Sequence, residues 1–187
     1  KHFESLFPWL DREVNLQLAV ENFIEHTTGN LTLYLNYSGP LQAQMDKRSL
    51  KIDISKDETL VFPPESKPII SDYSDRSEQK DSLQAYTMKE IIIEKLRSLL
   101  SRSEPRDLFD VHFIFTNKLV NPEEVSFYCP EKFSPKNLVV SDLQTVLERK
   151  EKIFSQYWHQ RLDGQMPEIP EFDAVIRETS RILSTYF

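Results

Sequence analysis

The stretch YTMKEIIIEKLRSLLSRSEPRDLFDVHFIFTNK, residues 86–118, predicts two helices joined by a short Ser/Pro break. Thr87 and Glu90 have the spacing of a capping box, so the first helix begins beside Thr87. Its buried face is predicted from apolar residues at helical spacing: Met88, Ile91, Ile92, Leu96 and Leu99. The opposite side, expected to face water, carries Glu90, Glu94, Arg97 and Ser101.

The second helix follows the break directly. Ser103 or Glu104 caps it, and Pro105 suits its first turn. Its predicted buried stripe consists of Leu108, Val111, Ile114 and Phe115.

Each helix carries charge where its pattern calls for an apolar residue. Lys95 falls between Ile91 and Leu99, Asp107 projects into the second apolar arc, and Asp110 flanks it. An unpaired buried charge is costly, so these groups need partners. Three interpretations stay open: Asp107 caps its helix, Lys95 and Asp107 form an ion pair, or all three charges line a polar cleft for an anionic substrate.

Composition excludes several function classes. The chain has 187 residues, enough for one domain with a sizeable core, and its formal net charge of −7 leaves nucleic-acid binding to a local basic patch. Cys129 is the only cysteine, which excludes an intrachain disulfide and favours a reducing, cytoplasmic location. The 3 glycines form no phosphate-binding loop. No apolar run approaches the roughly 20 residues of a membrane span, and no signal peptide is visible.

The N-terminal half is predicted to contain one helix and a small sheet. Residues 1–28 are interpreted as mostly helical, residues 31–37 and 50–55 as an antiparallel strand pair, and residues 59–62 as an extension of the sheet. Asp53 lies in mid-strand between two isoleucines, where its simplest interpretation is an exposed side chain. Residues 65–84 are expected to be a loop with a short strand at 69–70.

The C-terminal half is predicted to be helical. Residues 121–136 are interpreted as a solvated, proline-containing connection, followed by a long helix from Ser141 to about Leu162 that Gly164 terminates. Residues 172–186 form a last helix. The long helix has a basic side, interpreted as solvated rather than phosphate-binding, with Arg149, Lys150, Lys152 and Arg161.

The segment EIIIEKLRSLLSRSEPRDLFDVHFI resembles the centre of the AbiEii/AbiGii-type nucleotidyltransferase toxins. Glu94-Lys95-Leu96, Arg102 and Arg106-Asp107-Leu108-Phe109-Asp110 match that family's order and spacing. Upstream, LKIDIS with Asp53 resembles the hydrophobic–acid–hydrophobic strand of the superfamily. The likeness spans about residues 31–172.

This resemblance implies an α+β nucleotidyltransferase-like fold, a mixed sheet flanked by helices with a helical C-terminal half. Residues 1–85 would be the sheet-containing part and residues 86–187 the helical part that completes the cleft. The implied activity is transfer of a nucleotide from an NTP to an acceptor such as tRNA, with Mg²⁺ as the metal and a cognate antitoxin as a partner.

The resemblance also implies residue roles. Asp53 would be a metal-binding carboxylate, and Lys95 would contact the triphosphate. Asp107 and Asp110 would orient Lys95, position the acceptor or act as a base. Arg102 and Arg106 are candidate phosphate contacts. We expect Asp53 to open onto the same cleft as Lys95.

The sequence departs from the family pattern at its front, because it contains no Gly-Gly turn and no Asp-x-Asp pair. In the family's order these motifs precede Lys1, so we expect a longer natural protein and no transfer by this stretch alone. The alternative is a non-catalytic nucleotide- or partner-binding module derived from the same fold.

Overall fold

The structure, a computed structural model, describes residues 2–39, 49–56, 58–70 and 82–187. The chain divides into two units, Lys1–Thr59 and Leu60–Phe187, which we describe separately. The predicted sheet-containing part, residues 1–85, spans the first unit and the beginning of the second.

In its described residues, the first unit contains one helix and a three-stranded antiparallel sheet of strand order β1-β2-β3. Its elements are α1 (His2–Val14), β1 (Gln17–Glu25), β2 (Leu31–Ser38) and β3 (Ser49–Ile54). The predicted antiparallel pairing of β2 with β3 is confirmed, and it places Thr32 opposite Asp53.

The prediction of a mostly helical segment at 1–28 is wrong beyond Val14. Asn15 adopts a positive φ of 52°, which ends α1. The chain then pairs with β2 as strand β1, with a register shift between Val20 and Asn22. The helical periodicity of this segment is loose, and pairing with β2 makes it a strand because sheet context overrides weak local propensity.

The second unit begins with a hairpin and continues, among the described residues, as five α-helices with a short 3₁₀ helix at Ser134–Lys136. Its elements are β4 (Glu65–Pro68), β5 (Ser82–Ala85), α2 (Met88–Ser101), α3 (Pro105–Thr116), α4 (Pro122–Phe133), α5 (Asp142–Leu162) and α6 (Phe172–Tyr186). The α+β class is confirmed. Every strand pair in the described ranges is antiparallel, whereas the resemblance implies a mixed sheet.

The described residues between 59 and 85, predicted as a sheet extension and a loop, differ from expectation. Residues 65–68 and 82–85 pair as a hairpin rather than lying in a loop, and residues 71–81 of the predicted loop lie outside the described residues. The strand predicted at 69–70 is wrong, because β4 ends at Pro68. The extension predicted at 59–62 is also wrong, because the backbone N–H groups of Val61 and Phe62 donate to a side chain of α2.

Helix α4 replaces the solvated connection predicted at 121–136. Asn121 caps it by accepting from the N–H of Glu123, and Pro122 occupies its first turn. Its inward face buries Val125, Cys129 and Phe133. Prolines at both ends of this segment suggested a loop, but the i, i+4, i+8 spacing of these apolar residues determines a packed helix.

The helices predicted at the C-terminus are confirmed. Helix α5 begins after Ser141, which makes no side-chain cap bond, and Gly164 follows its end with a φ of 72°. Helix α6 spans the predicted residues. Trp158 is buried and donates its indole N–H to the Pro170 carbonyl over 2.8 Å, so the segment between the two helices is fixed to the core.

Glu90 is not on a water-facing side, contrary to prediction. Its side chain is fully buried, and Oε2 accepts from the N–H groups of Val61 and Phe62 at 2.9 Å each. Oε1 lies 2.8 Å from Nζ of the buried Lys132 of α4. A carboxylate tolerates burial only with such partners, so Glu90 joins α2, α4 and the residue 61–62 segment.

Replacing Lys132 by methionine will strongly destabilise the protein. Lys132→Met keeps most of the stem volume but leaves the charge of Glu90 without its ammonium, a loss of about 3–5 kcal/mol in the free energy of unfolding. Chemical denaturation will measure it. The matched control is Lys136→Met, a change at an exposed lysine, with an effect within about 0.5 kcal/mol. Equal unfolding midpoints for the two variants would contradict this assignment.

Candidate functional site

The site is built at the junction of α2 and α3. Thr87 caps α2 by accepting from the N–H of Glu90 over 3.1 Å, as predicted. Helix α2 ends at Ser101 with Arg102 as its C-cap, and Pro105 begins α3 after a break of three residues, 102–104. The two helices pack together, so charged residues near the junction face each other.

Lys95 lies between two carboxylates. Its Nζ is 3.1 Å from Asp107 Oδ1 and 2.6 Å from Asp110 Oδ2. The Lys95 side chain is 27% exposed, so part of it remains open to solvent while both partners hold the ammonium. The predicted ion pair with Asp107 is therefore present, and Asp110 extends it to a triad.

Asp107 is the centre of this cluster. Its side chain is 2% exposed, and Arg102 binds it through two nitrogens, with Nε 2.7 Å from Oδ2 and Nη2 3.0 Å from Oδ1. Both carboxylate oxygens are therefore occupied. Glu104, not Asp107, holds the N-cap position of α3, and it makes no side-chain cap bond. Asp107 therefore does not cap the helix; it orients Lys95 and Arg102.

The protonation states follow from these contacts. Burial opposes ionisation of Asp107, but hydrogen bonds from Arg102 and Lys95 outweigh it and hold the pKa below its ordinary value. Burial would likewise lower the pKa of Lys95, but its bonds to Asp110 and Asp107 raise it. At neutral pH Lys95 is therefore a fixed positive charge rather than a base.

A cleft of about 460 Å³ opens beside the cluster. Its charged lining consists of three cations and three carboxylates: Lys95, Arg102, Arg106, Glu104, Asp107 and Asp110. Arg106 is about half exposed, and its Nη2 lies 3.7 Å from Oε2 of Glu104. The structure thus brings together five residues predicted as site residues: Lys95, Asp107, Asp110, Arg102 and Arg106.

Lys150 of α5 fixes the turn that carries Arg102. Its Nζ donates to the carbonyl oxygens of Leu99, Leu100 and Arg102 at 2.7, 3.1 and 2.9 Å. These carbonyls close α2, and a cation there also complements the helix dipole. Lys150 is therefore not part of a solvated basic side, contrary to prediction.

Asp53 lies in the first unit. Thr32 Oγ1 donates to its Oδ1 over 2.8 Å, Lys51 Nζ is 2.9 Å from its Oδ2, and His26 Nε2 is 2.9 Å from Thr32 Oγ1. The hydrogen bond from Lys51, followed by that from Thr32, holds the pKa of Asp53 below its ordinary value. Asp53 borders a cleft of about 330 Å³ within this unit, and a cleft shared with Lys95 stays a prediction.

The described residues do not by themselves fit a bound divalent metal. Across residues 2–39, 49–56, 58–70 and 82–187, no group of three or more His, Cys, Asp or Glu side chains could hold one. The carboxylate of Asp53 pairs with the ammonium of Lys51, and that of Asp107 pairs with Lys95 and Arg102. We therefore derive no chemical step through a metal.

Most of the chain matches one known protein family. Residues 12–178 match the family described as nucleotidyl transferase AbiEii toxin, type IV TA system. The chain belongs to this AbiEii family. The match covers the Lys95 cleft and most of both units, and the resemblance drawn from residues 90–114 is confirmed. Searches of curated proteins and of solved structures gave no match.

The family assignment gives the chain a nucleotidyltransferase-type toxin class. No helix in the described parts of this AbiEii chain combines the length and apolar character that a membrane span requires.

Sequence reasoning missed further residues that line the cleft: Glu104, Phe109, Leu162, Gln165 and Met166. Phe109 was visible inside the Arg-Asp-Leu-Phe-Asp motif, whereas residues 162–166 approach the cleft only through the packing of α5.

Asp107→Asn will make stability less sensitive to acid. The folded pKa of Asp107 lies below its unfolded value of about 3.9, so its stabilisation is complete above that pH and lost as pH falls through the folded pKa. Between pH 5 and pH 3 the wild type will lose more unfolding free energy than Asp107→Asn. Denaturant titrations at each pH measure this. The matched control is Asp163→Asn, a change at the exposed aspartate that forms the C-cap of α5, and it will lose unfolding free energy in parallel with the wild type. Parallel losses for the wild type and Asp107→Asn would contradict the assignment.

Proposed function

We propose that this AbiEii-family chain binds the polyphosphate of an NTP at the Lys95 cleft and transfers a nucleotide to an acceptor hydroxyl, with RNA, such as a tRNA end, as the acceptor. The single observation that carries the proposal is Lys95. It is an ammonium, charged at neutral pH, that two carboxylates hold in a cleft also lined by two arginines.

The chemistry of phosphoryl transfer explains this arrangement. Negative charge spreads over the transferring phosphorus oxygens and the leaving pyrophosphate in the transition state. A cation that is already oriented stabilises this charge without reorganising during the reaction. The two carboxylates that hold Lys95 supply that orientation, and the raised pKa keeps the ammonium charged.

The aspartates have different surroundings, which supports different roles. Asp107 has both oxygens engaged and is nearly inaccessible, so we assign it the orientation of Lys95 and Arg102. Asp110 is 37% exposed and touches Lys95 through Oδ2. We assign Asp110 the position next to the acceptor, where its carboxylate can accept the hydroxyl proton.

The arginines are proposed to hold the outer phosphates. Both side chains are about half exposed, but Arg106 makes a long contact of 3.7 Å with Glu104, whereas Arg102 is held by Asp107 at 2.7 Å. Guanidinium groups bind phosphate through two parallel hydrogen bonds, so Arg106 suits first contact with the substrate.

Asp53 remains the proposed metal-binding carboxylate, with Mg²⁺ as the metal implied by the family. Its Lys51 contact must open for that role. A cognate antitoxin is the proposed protein partner, and the cytoplasm is the proposed location.

A non-catalytic binding module is the second candidate. The charged residues of the cleft balance, three cations against three carboxylates, and this balance favours a structural ion cluster. In that case the protein would bind its ligand without transferring a nucleotide.

Lys95→Ala in the full-length protein will lower transfer of a labelled nucleotide at least about 100-fold, because the transition-state charge loses its fixed cation. Cooperative unfolding will persist, since Arg102 still pairs with Asp107. The matched control is Lys152→Ala, which removes an exposed lysine of α5 and will leave transfer unchanged.

Transfer by Lys95→Ala at the wild-type rate would remove Lys95 from the mechanism. A wild-type protein that binds tripolyphosphate but transfers no nucleotide to any RNA acceptor would favour the non-catalytic module instead.

A further inference from the structure

A second cleft adjoins the Lys95 cleft and shares one wall with it. Its volume is about 340 Å³, at the small end of the roughly 300–1,000 Å³ of ligand sites. Phe109 lines both clefts. The other lining residues come from α3 and the segment before α6: His112, Phe113, Thr116, Asn117, Glu168 and Pro170.

Two aromatic rings form the apolar part of this second cleft. Phe109 and Phe113 stand one helical turn apart on α3, with ring centroids 5.9 Å apart and planes inclined by 29°. Phe113 is 47% exposed because it lies outside the buried stripe of α3. An exposed ring that continues a stack offers a flat face to a planar ligand.

The charges of the two clefts differ. Lys95, Arg102 and Arg106 line only the first cleft, while Glu168 lines only the second. The cations of the first cleft are matched by its three carboxylates, whereas the lining of the second cleft holds Glu168 and neither lysine nor arginine. Among these two clefts, the lysine and arginine contacts for a polyphosphate therefore lie in the first. The second cleft suits the uncharged end of a nucleotide, since Asn117 and Glu168 can bond to donors on a base edge.

We propose that the cleft of Phe109 and Phe113 is the nucleobase subsite of the NTP whose polyphosphate lies against Lys95. This inference rests on the proposed function, and it adds that the base stacks on Phe113. Stacking is tolerant of base identity because every base has a π face. The subsite therefore contributes affinity for nucleotides in general.

Binding measurements can separate the base from the phosphates. Titration calorimetry compares the four common ribonucleoside triphosphates with inorganic tripolyphosphate, each with Mg²⁺, on the full-length protein. Phe113→Leu will weaken NTP binding by about 5- to 150-fold, the range for loss of one stacked base, and will leave tripolyphosphate binding unchanged. Phe113→Tyr will retain NTP binding, because tyrosine keeps the ring.

The matched control is Phe127→Leu. Phe127 is another phenylalanine of the same unit, 77% exposed and outside both clefts, so its loss will change neither affinity. Phe113→Trp gives a direct readout, because a stacked base will quench the added indole fluorescence and tripolyphosphate will not.

The outcomes distinguish this inference from the function on which it rests. Unchanged NTP affinity in Phe113→Leu, together with tripolyphosphate binding that Lys95→Ala removes, overturns the base subsite and leaves the proposed function standing. If wild-type protein binds neither ligand, both fail. If Phe113→Leu weakens binding of a short RNA but not of NTPs, the cleft holds the acceptor, and the inference is overturned.

Discussion

The ion cluster around Asp107 is the interaction on which the candidate site depends. One nearly inaccessible carboxylate holds two cations, Lys95 from α2 and Arg102 from the turn after it, and so closes the junction of α2 and α3. Burial of such a group is costly unless its charge is paired and hydrogen-bonded, and here Oδ1 accepts from Lys95 and Arg102 and Oδ2 accepts from Arg102. The same contacts that make the junction rigid also fix an ammonium at the cleft.

Two lysines from distant parts of the chain anchor the ends of the helix that carries Lys95. Lys132 pairs with Glu90 in the first turn of α2, and Lys150 binds the carbonyls at its end. Neither lysine lines the Lys95 cleft, and both stabilise the fold. These basic side chains are used inside the fold, which leaves Lys95, Arg102 and Arg106 as the cations of the cleft.

Local patterns in the sequence predicted most of the site. The pairing of α2 with α3 could be inferred because Lys95 and Asp107 each interrupt an apolar arc, and a charge in such a place requires a partner. The buried position of Glu90 could not, because its partners at residues 61–62 and 132 are distant along the chain. Strand β1 was missed for the same reason, because pairing with β2 determines it rather than local propensity. Helix α4 was missed because its prolines suggested a loop, although the spacing of Val125, Cys129 and Phe133 indicates a helix.

Helix α4 also places the one thiol of the chain where reagents do not reach it. Cys129 is fully buried, and this burial raises its pKa to about 12, so almost no thiolate forms at neutral pH. Oxidants and alkylating agents therefore react with Cys129 only when α4 opens. The rate at which Cys129 is modified therefore reports local opening of the second unit, without an engineered label.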